Sequence, residues 1–454
     1  MTRLRLAMFA SGVLATSTAE AGGMVLPVRG VRTLERGGAL VAGAEDADAL
    51  WLNPAGLAHL AGSTPKQRML LFDAAFVYQN VEHTRLDGDG AALLPVTNQQ
   101  PGQPVPTLAG ALAVTDRLVI AGGITSPYSG FGRYAPDGPQ RYAQVSLDGS
   151  RIVLVTAGIA YKVSDTLRVG ATVQNVVTQL SSTLVVSGCP GAQTCGRDDA
   201  SFDMQLAIEQ DDFVSPTASA GVQYDAMPSL TLGLVLQGPA KVTGKGSLAT
   251  TLPSALEFDA AEVIGDRATL AFWLPPAIKA GVEWRPDPHW RIEAALDVEL
   301  WSLHDEVEIE PINVSIANIT GANGGTFSLA PMTIARDYKT SYAPALGVEW
   351  HGPRVMFGAG YGYETAAAPT GTVSVLTVDA AKHLVGLGGG YELEGWQIGA
   401  AAGFVAVDRV DVSVADARVT KLAPISSNPD ATPINAGSYK SRYVIAGLRF
   451  ARRW

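Results

Sequence analysis

The sequence predicts an all-β membrane protein, a transmembrane antiparallel β-barrel of about fourteen strands with an N-terminal plug in its lumen. Three observations carry this reading. Period-two alternation recurs in many short segments from Met69 onward, and short and long connections take turns between those segments. After the N-terminus no continuous apolar run reaches the roughly twenty residues that a spanning helix needs.

Composition agrees with a chain that spreads its apolar residues thinly. Of 454 residues 49 are Gly and only 17% are charged, while mean hydropathy is +0.15. Length alone allows several ordinary domains or one large barrel. The formal net charge of -10, with no basic stripe, excludes nucleic acid as a partner. Arg3 and Arg5 precede an apolar stretch from Leu6 to Thr16, and Ala19-Glu20-Ala21 follows as a small-x-small cleavage site. Residues 1–21 therefore read as a signal peptide, with the mature chain starting at Gly22. In an exported chain Cys189 and Cys195, separated by a Pro190-Gly191 turn, read as a loop disulfide. No histidine lies near them, so a metal site is not expected there.

Residues 22–64 show no alternation and form a compact, small-residue segment. Within it lies Trp51-Leu52-Asn53-Pro54-Ala55-Gly56-Leu57. Proline fixes its own φ and drives the preceding residue out of the helical region, so Asn53-Pro54 encodes a rigid turn. Its neighbours Leu50, Trp51, Leu52 and Leu57 are apolar enough to dock against a wall. Residues 65–454 then read as the barrel. Trp290, Ile292, Ala294, Leu296 and Val298 alternate with Arg291, Glu293, Ala295, Asp297 and Glu299. Val355, Phe357, Ala359, Tyr361 and Tyr363 alternate with Met356, Gly358, Gly360 and Gly362, and glycine on one face suits an interior wall that something approaches closely.

The connections say more than the strands. Short turns fall at 115–117, 164–166, 225–228, 286–288, 351–353 and 393–395, and long polar connections fall between them. Short turns thus share one rim and long loops the other, as in outer-membrane barrels of Gram-negative bacteria. A soluble sandwich has no reason to keep that asymmetry. The last strand alternates Val444, Ala446, Leu448 and Phe450 with Tyr443, Ile445, Gly447 and Arg449, and ends on Trp454, an aromatic suited to the membrane interface. Side chains of the wall cannot fill a lumen of this width, so the only segment outside the strands, 22–64, is the expected plug.

Over nearly its whole mature length the sequence resembles the FadL/TodX family of outer-membrane transporters for long-chain fatty acids and other hydrophobic compounds. The resemblance rests on Gly37-Gly38-Ala39, Ala47-Asp48-Ala49 and Leu50 to Leu57 near the N-terminus, and on Gly122-Gly123-Ile124-Thr125-Ser126-Pro127-Tyr128. Arg141-Tyr142, Leu274-Pro275-Pro276 with Trp301-Ser302, Tyr338-Lys339 and Tyr439-Lys440-Ser441 continue it in order. It implies a fourteen-stranded barrel closed by a hatch, with Asn53, Pro54 and Ala55 as hatch-to-barrel contacts. It also implies a kink in the third strand, at Gly122 and Gly123, that opens a lateral way out. The family's cations for a fatty-acid carboxylate have no sure counterpart, and Arg336 and Lys339 are the candidates; Arg133 and Arg141 flank an outer loop.

The implied partners are a hydrophobic small-molecule ligand, outer-membrane lipid and lipopolysaccharide, with the chain acting as a monomer. No cofactor is implied and no catalytic motif is present: the chain has no G-x-S-x-G elbow and no phosphate-binding loop. The acidic run Asp305, Glu306, Glu308 and Glu310 reads as a solvated face or a cation site on an outer loop. A surface receptor or adhesin using the long loops is the alternative function, and the plug is the feature that function does not require.

Overall fold

A computed structural model of the chain describes residues 30–62, 67–100, 102–127, 132–147, 149–193, 195–320, 325–427 and 433–454. The signal peptide expected at 1–21, hatch residues 22–29 and 63–64, and Tyr128 lie outside them.

Fourteen strands form the wall: β1 (Arg68–Arg85), β2 (Gln103–Ala113), β3 (Leu118–Thr125), β4 (Arg151–Lys162), β5 (Leu167–Ser187), β6 (Asp203–Met227), β7 (Leu230–Gln237), β8 (Ala277–Trp284), β9 (Trp290–Glu299), β10 (Ser341–His351), β11 (Val355–Glu364), β12 (Lys382–Leu393), β13 (Trp396–Val407) and β14 (Gly437–Arg453). Each is antiparallel to its neighbours, and β14 closes on β1 from Met69↔Arg453 to Arg85↔Gly437. Closure pairs every strand on both sides at the level of the hatch, as a lipid environment demands of backbone polar groups. The six short turns of the sequence all lie on one rim, together with the chain's C-terminus. Outward positions such as Phe72, Ile120, Leu346, Phe357 and Leu448 are apolar and exposed, giving the face that meets lipid. Trp284, Trp290, Trp396 and Trp454 sit exposed at the rim of short turns, where an aromatic girdle belongs.

Two of the long connections are more ordered than their polar composition suggests. Within 238–265 and 303–337, strands Ala240–Thr251, Glu306–Ile312 and Met332–Ala335 join Arg267–Leu274 and the upper part of β6 in one continuous sheet. Their inward residues Val242, Leu248, Leu270, Phe272, Ile309 and Met332 are buried and build an apolar canopy over the outer mouth. Glu308 and Glu310 of the acidic run point outward and are exposed. Among the described residues no group of His, Cys, Asp or Glu is arranged to hold a metal ion.

The N-terminal segment fills the lumen. It has two short helices, α1 (Val31–Glu35) and α2 (Ala49–Leu52), followed by a 3₁₀ segment Pro54–Leu60. Nearly every residue from Val31 to Leu60 is buried, although no helix is long enough to be stable alone. The wall therefore supplies the stability. It does so partly by omission: at Gly386 and Gly358 a Cβ would run into Leu34 and Glu35 of the hatch. The glycine face read from the sequence is the surface on which the hatch lies.

Candidate functional site

The Asn53 turn is held on both sides. Asn53 Nδ2 donates to Val41 O (3.0 Å) within the hatch and to Val222 O (3.1 Å) on β6, while Oδ1 accepts from Ala55 N (3.2 Å) and caps the 3₁₀ segment. Pro54 and Ala55 lie over Gly170 and Gly221, where any side chain would overlap the turn. Nearby, Trp51 Nε1 donates to Thr156 Oγ1 on β4 (2.9 Å), and Gln223 Nε2 on β6 donates to the hatch carbonyls of Ala42 (3.0 Å) and Ala44 (2.7 Å). We expect Asn53→Ala, which forfeits three such bonds at about 1 kcal/mol each, to loosen the hatch. Protease cutting within 30–62 would rise while the barrel keeps its unboiled electrophoretic migration; unchanged cutting would show that the turn is no anchor.

Buried ion pairs also tie the hatch to the wall. Arg36, fully buried, meets Glu283 (3.1 Å), Glu293 (2.9 Å) and Glu349 (3.2 Å) on β8, β9 and β10. Glu293 also accepts from three successive hatch N–H groups, Val41 (2.6 Å), Ala42 (2.8 Å) and Gly43 (3.0 Å). On the opposite wall Arg449 of β14 reaches Asp46 (2.9 Å) and Asp48 (2.9 Å) of the hatch and Asp73 (3.3 Å) of β1. Arg32 links Asp46 (2.9 Å) to Glu349 (3.2 Å), and Arg291 pairs with Glu45 and Glu283. Buried ions of this kind contribute little net stability but are costly to unpair, so they fix where the hatch sits. Glu35 is the exception: it is completely buried and, among the described residues, neither of its carboxylate oxygens has a hydrogen-bond partner. Burial and the nearby Glu349 push its carboxyl up to about 8 against the pull of Arg32, Arg449 and Arg36.

Below the hatch a charged vestibule of about 1340 Å³ opens at the rim of short turns, lined among others by Arg32, Asp46, His59, Arg285 and Arg291. Above it lies a cavity of a different kind. This cavity of about 130 Å³ is roofed by the canopy and the loop at 375–378, and its walls include Val81, Ile152, Leu184, Ile208, Phe272 and Ile334. The cavity is not fully enclosed, so a longer ligand can seat its head there with part of its chain outside.

Arg336 lies on the wall of this cavity, buried, and among the described residues it pairs with no carboxylate. Its Nη1 donates to Thr377 Oγ1 at 3.4 Å, its guanidinium lies 5.9 Å from the Tyr338 ring, and Nε has no partner among the described residues. Lys339 is exposed and does not line the cavity. Arg133 is exposed, and Arg141 is committed to Asp203 at 2.6 Å. Cys189 and Cys195 are joined in a disulfide with Cα atoms 6.0 Å apart, in an outer loop away from the cavity. His304, which the sequence offers only as one of six scattered histidines, also lines the cavity, completely buried. Its single local signal is its place three residues after Trp301, whose ring it meets edge-on at 5.7 Å.

The third strand holds its register through Gly122 and Gly123 on both sides, with Gly123 packed against Trp51 of the hatch. Among the described residues its pairing with both neighbours ends higher up, at Thr125, just before Pro127, whereas Gln103–Pro106 of β2 continue on β1 and Arg151–Val153 of β4 continue on β5. Proline has no N–H, so the ladder bonds from β2 to β1 must come from Gln103, Val105 and Thr107. Pro104 and Pro106 then face the side that β3 has left, and no donor is stranded there. On the other side of the gap Ser126 Oγ donates to Ile152 O (2.8 Å), and Ile152 is also a wall residue of the cavity.

A closed fourteen-stranded barrel, plugged from the N-terminus and holding an apolar cavity under an outer canopy, defines an outer-membrane transport protein for hydrophobic compounds. A family model described as outer membrane protein transport protein (OMPP1/FadL/TodX) matches residues 12–448, and the chain belongs to this family. Solved structures share its fold at low identity. A Pseudomonas aeruginosa FadL homologue superposes with a TM-score of 0.75 at 15% identity, covering 95% of this chain and 99% of that one. The Pseudomonas putida toluene transporter TodX gives 0.65 at 16% identity, covering 96% and 99%. The CymD monoaromatic hydrocarbon channel gives 0.63 at 14%, covering 94% and 97%. No curated protein matches the chain.

Proposed function

We propose that the protein takes up amphiphilic small molecules with a long or bulky apolar body and one polar head, of which long-chain fatty acids are the type, and releases them sideways. The observation that carries this reading is the position of Arg336: a buried guanidinium with no carboxylate partner among the described residues, on the wall of an apolar cavity. An unpaired buried cation is costly, and a ligand head offering an oxygen acceptor offsets that cost where a plain hydrocarbon does not. Among the structural neighbours a toluene transporter and a monoaromatic hydrocarbon channel are named for hydrocarbons, whereas Arg336 favours a polar-headed ligand here. Exit through the gap above Thr125 is supported by Ile152, which accepts from Ser126 at the gap and also lines the cavity.

Uptake of labelled oleate and toluene by cells producing the protein tests the reading. Oleate should enter well above cells with an empty vector, and Arg336→Met should lower oleate entry roughly tenfold, the loss of one charge-assisted bond, with toluene less affected. Equal loss of both, or oleate entry at the empty-vector level, would refute it. Stapling the gap by Pro106→Cys with Ser126→Cys should stop entry when the pair is oxidised and restore it on reduction, with the parent protein as control for its own disulfide.

A further inference from the structure

His304 and Arg336 flank the same ring: the imidazole lies 5.2 Å from Tyr338 and the guanidinium 5.9 Å from it. His304 Nδ1 is 2.7 Å from the carbonyl oxygen of Trp273. A carbonyl only accepts, so Nδ1 must carry the hydrogen. Burial, with Arg336 close by, pushes the imidazole down to about 3, so it stays neutral at any ordinary pH. A neutral imidazole with its hydrogen on Nδ1 has a bare lone pair on Nε2. That atom has no partner among the described residues. Phe272, Trp301 and Tyr338 pack around the ring at 5.8, 5.7 and 5.2 Å and hold it in place.

Of the polar groups that line the cavity, two hold a buried atom without a partner among the described residues, and they are of opposite kind: a donor cation at Arg336 and a bare acceptor at His304. A carboxylate would satisfy Arg336 but would set a second lone pair against Nε2. An ether or ketone leaves Nε2 unpaired in the same way, and a hydrocarbon leaves both. We infer that the preferred ligand head is an un-ionised hydroxyl, as in a fatty alcohol, whose oxygen accepts from Arg336 and whose hydrogen is donated to His304 Nε2. This inference rests on the cavity being the ligand site and narrows its substrate class from polar-headed amphiphiles to hydroxyl-headed ones.

The test compares ligands that differ at one atom. Purified full-length protein in lipid nanodiscs is titrated with 1-dodecanol, its methyl ether, dodecanoate and dodecane, and binding is read from tryptophan fluorescence, Trp301 being in contact with His304. Dodecanol should bind about tenfold more tightly than the methyl ether, since only the alcohol satisfies the acceptor, and more tightly than dodecanoate. In His304→Leu the ratio of alcohol to ether should fall to about one. Equal affinity of the parent protein for alcohol and ether, or a preference for dodecanoate that His304→Leu does not change, overturns the inference while leaving the transport reading intact. Failure of all four ligands to bind overturns both.

Discussion

Arg36→Met should turn the plugged barrel into a conducting pore. Arg36 is the cation that holds Glu283, Glu293 and Glu349 together, and all three carboxylates are fully buried. Breaking a buried pair from one side costs about 3–5 kcal/mol, and the carboxylate that loses its cation here is Glu293, since Glu283 keeps Arg291 and Glu349 keeps Arg32. Glu293 is also the acceptor for Val41, Ala42 and Gly43, so its displacement releases the hatch backbone directly. The wall does not depend on this cluster, since β1 to β14 close by backbone pairing. The variant should keep its unboiled electrophoretic migration, show raised single-channel conductance in planar bilayers, and sensitise producing cells to bulky antibiotics. Adding Glu293→Gln should recover part of the seal, because it removes one stranded charge. Conductance at the parent level would show that the cluster is not what seats the hatch.

The second large effect concerns pH. Glu35 lies at the end of α1, faced by Arg32 and Arg36 of its own helix, Glu349 of β10 and Arg449 of β14, and packed on Gly358 of β11 and Gly388 of β12. Its carboxyl is raised from 4.5 to about 8 in the seated hatch. A released hatch exposes Glu35 to water, where it ionises near its ordinary value. Between about pH 4.5 and 8 the seated form thus holds a proton that the released form has lost. Raising pH through this window therefore weakens seating by up to about 1.4 kcal/mol per unit, and the effect levels off above pH 8. Proteolysis of the hatch in the parent protein should accelerate from pH 5 to 8.5. Glu35→Gln, which cannot ionise, should match the parent at pH 5 and resist better at pH 8.5. A parent protein whose hatch is cut at the same rate across that range would contradict this account.

Much of the barrel was legible because its signals are local. Alternation from Trp290 to Glu299 assigns lipid face and lumen face without knowledge of any partner strand, and a turn such as Glu394-Gly395 reveals its rim by length alone. Asn53-Pro54 was legible as a bend for the same reason. The canopy strands at 240–251 and 306–312 were not, because polar outward residues such as Glu308 and Glu310 mask a pattern that becomes apolar only on the inward side.

What the sequence by itself determined was the barrel, its two unlike rims and the presence of a small-residue plug, since period, turn chemistry and glycine placement act within a few residues. Only the tertiary structure decided which charges meet and where a ligand fits. Arg36 finds carboxylates 247, 257 and 313 positions away, and His304 and Arg336 become wall residues of one cavity only when separate loops fold over the mouth. Ion pairs and cavities depend on the closed register of the whole wall, which no stretch of chain encodes alone. The gap beside β3 lies between these cases: Pro104, Pro106 and Pro127 are visible in the sequence, but their meaning appears only when the strands that flank them are known.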